Sequence, residues 1–258
     1  MITSLSNEKV KLARSLSARK NRSARRQFLV EGVRAIEEAE RAGMVPALVF
    51  FEPKAVEADS RASALVSQLQ ARTPRVDTVS PAVLSSIAQT ETPQGIVAIY
   101  PFPDLPLPAS PSLALVLDAV RDPGNLGTIL RTAWAAGADA ALLAPGSADP
   151  YNPKVVRAAM GAHFSLPIRL LPWLEIAEAL QHVPRIYLAD ARATLNYTEA
   201  DWAPPRAIIV GGEAEGASEQ AKKLATAALS IPMPGHAESL NAAVASAILL
   251  FEAIRPRV

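Results

Sequence analysis

Short, nearly continuous apolar runs alternate along the chain with longer stretches in which apolar residues recur every three or four positions. The first pattern reads as buried strand and the second as amphipathic helix. On this basis residues 3–20 form a basic helix, 27–30 a strand, 31–42 a helix stopped by Gly43, and 47–51 a second strand. A helix over 61–72, a strand over 76–79, a short helix over 81–88 and a strand over 95–100 follow. The alternation predicts a small α/β domain over residues 1–100. Residues 101–111, PFPDLPLPASP, contain five prolines and read as a stiff extended linker.

Beyond the linker, in a second domain over 112–258, LALVLD forms a buried strand ending at Asp118. A turn at Pro123-Gly124 leads into a helix to Ala136, stopped by Gly137, and then a strand to Ala144. Helices over 152–162 and 174–181, strands over 185–189 and 207–210, a helix over 218–228 and a strand reaching Ile231 complete the alternation. A last uninterrupted helical pattern starts at Asn241. Apolar strands alternating with helices predict an α/β fold with a parallel sheet covered on both faces. Ligands of such sheets bind beyond the carboxyl ends of the strands. Three loops meet that condition: residues 118–125, 211–216 and 232–240.

Composition narrows the chemistry. At 258 residues, half of them apolar, the chain has material for an ample core. No apolar run is long enough to span a bilayer, and the N-terminus lacks a signal-peptide core, so a cytoplasmic protein is expected. The absence of cysteine excludes disulfides, thiolate metal sites, iron–sulfur clusters and cysteine nucleophiles. His163, His182 and His236 show no ligand spacing, and no metal is expected. A net charge of +1 hides an asymmetry: eight basic residues and no acidic one lie between Lys9 and Arg26. Such a run is either a solvated face or a contact for a polyanion, where Lys and Arg displace phosphate counterions.

The loops carry the candidate chemistry. Pro232, Pro234 and Gly235 constrain the third loop and hold its backbone groups open. Ser239 and Asn241 stand at the start of the final helix, where either serves as an N-cap or as a site residue. After the first loop, Asn125 is placed to cap its helix, and Arg131 stands alone among apolar neighbours. That arginine is either a snorkelling surface residue or a directed ligand for phosphate or carboxylate. The second loop, GGEAEG, is either a tight turn or a site; it is neither a dinucleotide fingerprint nor a P-loop.

Taken together, NLGTILRTA, GGEAEG and IPMPGHAESLNAAVA resemble the three ordered motifs of the SpoU/TrmH-type RNA ribose methyltransferases of the SPOUT superfamily. The resemblance extends over nearly all of residues 113–255, including DPGNLG and NPKVVRAAMGAHFSLP. The N-terminal ITSLSNEKVKLARSL and FLVEGVRAIEEA resemble the substrate-binding domain that many members carry, akin to small ribosomal RNA-binding proteins. Two departures stand out: Ala119 where many relatives have glycine, and Ala242-Ala243 in place of a common Val-Ser.

The resemblance implies a deep trefoil knot at the carboxyl end and S-adenosylmethionine as cofactor. The cofactor would be held by Gly211, Ile231 and Leu240, with Gly212, Gly216 and Met233 close by. It further implies a homodimer formed through the knotted domain. Arg131 matches the family's arginine at the reacting hydroxyl, and Asn125, Ser239 and Asn241 would position it and the ribose, with Glu213 supporting its loop. An arginine is a poor general base, so phosphate binding and orientation of the hydroxyl is the expected role. The missing cysteines disfavour methylation at pyrimidine C5 and leave oxygen or, as in other branches of the superfamily, nitrogen as the acceptor; the resemblance of NLGTILR and SLN implies ribose oxygen. RNA is the expected partner, through Lys20, Arg22, Arg25 and Arg26, and a full substrate domain favours 23S-type ribosomal RNA over transfer RNA. The N-terminal likeness extends to antibiotic-resistance enzymes of the thiostrepton type, so housekeeping and resistance both stay open. The alternatives are a transfer-RNA methyltransferase and a non-catalytic RNA-binding protein.

Overall fold

Four helices begin where a polar side chain is followed at once by proline: Glu52-Pro53, Ser80-Pro81, Asp122-Pro123 and Asn152-Pro153. Each cap accepts a hydrogen bond from a first-turn N–H, and proline at the next position gives up a donor that has no partner there. The computed structural model describes residues 1–212, 216–235 and 237–255. In chain order the first part runs α1 (Glu8–Ser15), α2 (Arg19–Arg25), β1 (Gln27–Glu31), α3 (Val33–Arg41), β2 (Leu48–Phe51), α4 (Pro53–Glu57), α5 (Ser60–Arg72), β3 (Val76–Thr78), α6 (Pro81–Ile87) and β4 (Ile96–Pro101). Then come β5 (Leu113–Asp118), α7 (Pro123–Ala135), β6 (Ala140–Leu143), α8 (Pro153–Ala159), β7 (Ile168–Leu170), α9 (Trp173–Ala179), β8 (Arg185–Ala189) and β9 (Leu195–Asn196). The last elements are β10 (Arg206–Gly211), α10 (Glu219–Leu224), β11 (Ala227–Ser230) and α11 (Ala242–Ala253). Among the described residues no helix is long and apolar enough to cross a membrane.

These elements fall into two units: residues 1–104 with 151–164, and residues 105–150 with 165–258. The first unit is built on a four-stranded sheet of order β1-β4-β2-β3, in which only the β2–β3 pair is parallel. Side chains alternate across it. Phe28, Val30, Val49, Phe51, Ile96 and Ala98 face α3 and α5, while Leu29, Leu48, Phe50, Val97 and Ile99 face α1 and α6. Burial on both faces is why these strands read as continuous apolar runs.

The helix anticipated over 3–20 is two helices. Its break at residues 16–18 is held by side chains from α2: Asn21 donates to the Ser15 carbonyl at 2.9 Å, and Arg22 Nη1 donates to those of Leu16 and Ser17 at 2.8 and 2.6 Å. Arg22 is 2% exposed. It satisfies carbonyls at the end of α1, where a cation also complements the helix dipole. The expectation that Arg22 contacts RNA is corrected accordingly: the side chain is consumed inside the unit.

Segment Tyr151–Phe164, which contains α8, packs within the first unit although it lies beyond the proline-rich stretch. Val156 and Phe164 join the core under α3 and α5. Tyr151 stacks on Phe102 with centroids 3.7 Å apart, and Phe28 meets Tyr151 edge-on at 5.0 Å. Gly161, at φ +99°, brings this segment against α3, where a Cβ would lie 2.5 Å from that of Glu38.

The second unit carries a seven-stranded, wholly parallel sheet of order β7-β6-β5-β10-β8-β11-β9. One face packs on α9 and α10 through Ile176, Leu180 and Ala221; α11 packs against β10 and α7. The helix anticipated over 218–228 stops at Leu224, and its last residues become β11. Alanine-rich ATAA favours helix locally. Sheet pairing beside β8 overrides that preference: Thr226 donates its N–H to Ile186 O at 2.7 Å, and its hydroxyl accepts from the Ile186 N–H at 3.0 Å.

If Arg22 is a structural residue, Arg22→Ala lowers stability by about 2–4 kcal/mol, since it orphans buried carbonyls. Urea denaturation of the full chain measures this, and a change below about 0.5 kcal/mol contradicts the role.

Candidate active site

Strands β5, β10, β8 and β11 lie side by side, and their carboxyl ends deliver four loops to one edge of the sheet. Two loops are locked together by contact. Asp118, 2% exposed, accepts a hydrogen bond from the Ser218 N–H at 2.6 Å. Gly212 lies so close to the β5 loop that an added Cβ would sit 2.5 Å from the Ala119 carbonyl oxygen. A Cβ on Gly211 would meet Ala217 N and Gly216 C at 2.8 Å. Gly212 and Gly216 form an isolated bridge, with Gly216 donating to Gly212 O at 3.2 Å, and Gly216 adopts φ +67°. The glycines of this motif are therefore required by close backbone approach. Glu213, expected to support the loop, lies outside the described residues, as does Glu215.

A cavity of about 390 Å³ opens at this edge. Gly211, Gly212, Gly216, Ile231, Met233 and Leu240 all line it, together with Ser239 and Asn241. Asp190, Ala191 and Arg192, directly after β8, line it too, as does Lys222. The 190–192 loop is not among the three loops expected from the sequence. The signal was present: it follows a parallel strand at its carboxyl end and carries two opposite charges.

The start of α11 meets the start of α7. Asn241 caps α11, its Oδ1 accepting from the N–H groups of Ala243 at 2.8 Å and Val244 at 3.4 Å. With the oxygen thus committed, Nδ2 points the other way and donates to Asn125 Oδ1 at 3.0 Å. Asn125 is not the cap of its own helix, as the sequence had indicated; Asp122 is, accepting from Asn125 N–H at 2.8 Å. The reason is that helix α7 starts at Pro123, so Pro123-Gly124 forms its first turn instead of preceding it. Ser239 caps nothing and stands exposed at the cavity.

Arg131 lies further along α7 and does not line the cavity. Its side chain is exposed and makes no hydrogen bond or ion pair with any described residue. In the first unit Lys20, Arg25 and Arg26 are exposed, with Arg26 lying over the Phe102 ring at 5.7 Å. Lys9 and Lys11 pair with Asp77 at 2.6 Å and Glu8 at 2.7 Å.

Ala119 adopts φ +55°, a left-handed conformation that glycine takes without strain and alanine at a cost of about 1–2 kcal/mol. This is the physical content of the departure seen in the sequence at that position.

A parallel sheet with a cavity at its carboxyl edge, walled by glycine backbone and apolar side chains, defines an α/β protein that binds a small organic ligand. The model of the SpoU rRNA Methylase family matches residues 112–251, and that of the MRM3-like substrate binding domain matches residues 7–98. The chain is 36% identical over 253 residues to the 23S rRNA (guanosine(2553)-2'-O)-methyltransferase RlmP of Bacillus subtilis (strain 168), covering 97% of each. It is 32% identical to the 23S rRNA (uridine(2479)-2'-O)-methyltransferase of Streptomyces viridochromogenes, over 94% of this chain and 88% of that one. The crystal structure of the AdoMet-bound rRNA methyltransferase from Sinorhizobium meliloti matches with a TM-score of 0.85 at 32% identity, over 98% of this chain and 96% of that one. The chain belongs to the SpoU rRNA methylase family.

The Asn125–Asn241 bond joins positions 116 residues apart. Asn241→Ala should destabilise the chain by about 1–2 kcal/mol through loss of cap and bond. A double-mutant cycle with Asn125→Ala should return a coupling of about 0.5–1.5 kcal/mol. Additive losses in urea titrations would mean that the contact contributes nothing.

Proposed function

We propose that this chain transfers the methyl group of S-adenosylmethionine to a ribose 2′-hydroxyl of 23S-type ribosomal RNA. The observation that carries the reading is the convergence of Gly211, Gly212, Gly216, Ile231, Met233 and Leu240 on one cavity from two loops, beside the Asn125–Asn241 pair. The cavity suits a nucleoside-sized ligand in volume, and Gly211 and Gly212, packed too closely on neighbouring backbone to carry a side chain, both line it. The relatives' names support the ribose hydroxyl and the 23S substrate. The trefoil knot implied by the resemblance is part of the proposal and would tie the 211–216 and 231–240 loops together.

When bound, S-adenosylmethionine supplies a methyl group already activated by its sulfonium. The chain's residues do the rest. Ile231, Met233 and Leu240 give the cavity apolar walls that exclude water from the nucleophile. Asn241 and Asn125 hold the starts of α11 and α7 at a fixed spacing. Arg131, permanently charged and exposed, binds the phosphate next to the target ribose and orients the 2′-hydroxyl. That phosphate, and not the guanidinium, assists removal of the hydroxyl proton. Residues 1–100 serve as the RNA-binding unit, with Lys20, Arg25 and Arg26 exposed to phosphates. The proposed assembly is a homodimer through α11, whose Val244 and Phe251 are 49% and 51% exposed, with Ile254 just past its end 39% exposed. Its proposed location is the cytoplasm, with the RNA it modifies.

Methyl transfer from labelled S-adenosylmethionine to separated ribosomal and transfer RNA lacking native modifications tests the reading. Label in 23S RNA, resistant to alkali at one linkage, is the expected result; label only in transfer RNA, or none, overturns it. Arg131→Ala should lower transfer by about 100-fold or more and leave cofactor affinity within about twofold. Equal activity in the variant refutes the assigned role.

A triple substitution of Lys20, Arg25 and Arg26 by Gln should weaken RNA binding and reduce the slope of log K against log salt by about 2–3. An unchanged slope would move the RNA surface elsewhere.

A further inference from the structure

Two opposite charges on the cavity wall have no part in the function described above. Asp190 directly follows β8, and its place is fixed by three hydrogen bonds. Its N–H donates to Leu229 O at 2.9 Å, its carbonyl accepts from Ala193 N at 3.0 Å, and Oδ1 accepts from the Arg192 N–H at 2.9 Å. Oδ2 has no hydrogen bond to any described residue. The Arg192 Nε stands 3.5 Å from Asp190 Oδ1, with its side chain 87% exposed and that of Asp190 31% exposed. Lys222, the other cation at the cavity, is already paired with Glu219 at 2.7 Å. Next to these charges the wall is apolar: Val210, Leu229, Ile231 and Ala245.

Resting on the assignment of this cavity to the cofactor, we propose that Asp190 and Arg192 hold the α-amino-acid head of S-adenosylmethionine. Asp190 accepts hydrogen bonds from the ammonium, and Arg192 pairs with the carboxylate. A carboxylate only accepts, so its ligand must bring a donor; a guanidinium only donates, so its ligand must bring an acceptor, preferably anionic. An amino-acid head carries both on one carbon, and the two side chains stand as an adjacent pair of opposite sign. Adenine and ribose offer Asp190 donors but offer Arg192 no anion. The pair therefore reads the end of the cofactor that distinguishes it from other adenosine derivatives.

Isothermal titration of the full chain with S-adenosylhomocysteine and with 5′-methylthioadenosine, which lacks the amino-acid head, tests the assignment. Asp190→Asn keeps an oxygen for the Arg192 N–H, so the loop is retained. It should weaken S-adenosylhomocysteine about 10- to 100-fold and leave methylthioadenosine within about twofold. Arg192→Gln should weaken S-adenosylhomocysteine alone, by about 3- to 10-fold, since the side chain is more exposed. Unchanged affinity for S-adenosylhomocysteine in Asp190→Asn, or equal loss for both ligands, overturns the proposal. Ala245→Phe, on the cavity wall, separates the two levels of argument: it should abolish binding of both ligands. If it binds both normally, the cavity is not the cofactor site and the head-group assignment falls with it. If it abolishes both while Asp190→Asn binds like the parent, the cavity stands and the head-group assignment alone is lost.

Discussion

The arrangement of the second unit turns on one close approach, that of the backbone after β10 to the backbone after β5. Gly212 has no room for a side chain against the Ala119 carbonyl, and the buried Asp118 carboxylate takes the Ser218 N–H from the same loop. A buried carboxylate must find donors or lose its charge, so this bond fixes both the end of β5 and the start of α10. Once these loops are joined, the space beside β8 and β11 is left open as a cavity instead of being filled by a wandering connection. The glycines of the second motif thus serve packing between the two loops.

Packing of that kind separates what the sequence discloses from what it withholds. Strand runs and the three loops are local signals, and each is visible because short-range chemistry dictates it. The second and third motifs line one cavity, and the first is joined to the third by the Asn125–Asn241 bond, because a parallel sheet sends all its carboxyl ends to one side. Tertiary choices are a different matter. Nothing within residues 9–26 distinguishes Arg22, committed to the carbonyls of Leu16 and Ser17, from exposed Arg25 three positions on. Nor does the run ATAA announce that a vacancy beside β8 will draw it into the sheet. Asn125 and Asp122 are equally good caps by type; the choice between them follows from where Pro123 starts the helix.

The basic run in the first unit shows how misleading a charge count can be. Of its eight members, Lys9 and Lys11 are paired with carboxylates and Arg22 is buried. The free positive charge is concentrated around α2, on residues that the formal net charge of +1 would not single out. The sheet behind it is covered by helices on both faces, so the unit presents helices and loops, not an open β surface.

The return of Tyr151–Phe164 to the first unit has a consequence for how the protein is made. A ribosome completes the four strands of the small sheet by Pro101, yet Val156 and Phe164 of that unit's core are still unsynthesised. At elongation rates of about 5–20 residues per second, several seconds pass before they emerge. During that interval the aromatic surface around Phe28 and Phe102 stays open, and β5, α7 and β6 must appear before it can close. The N-terminal unit is first in sequence but cannot close until residues 105–150 of the second unit have been made. Nascent chains of this protein therefore carry an unsealed hydrophobic flank of the kind that chaperones at the exit tunnel shield.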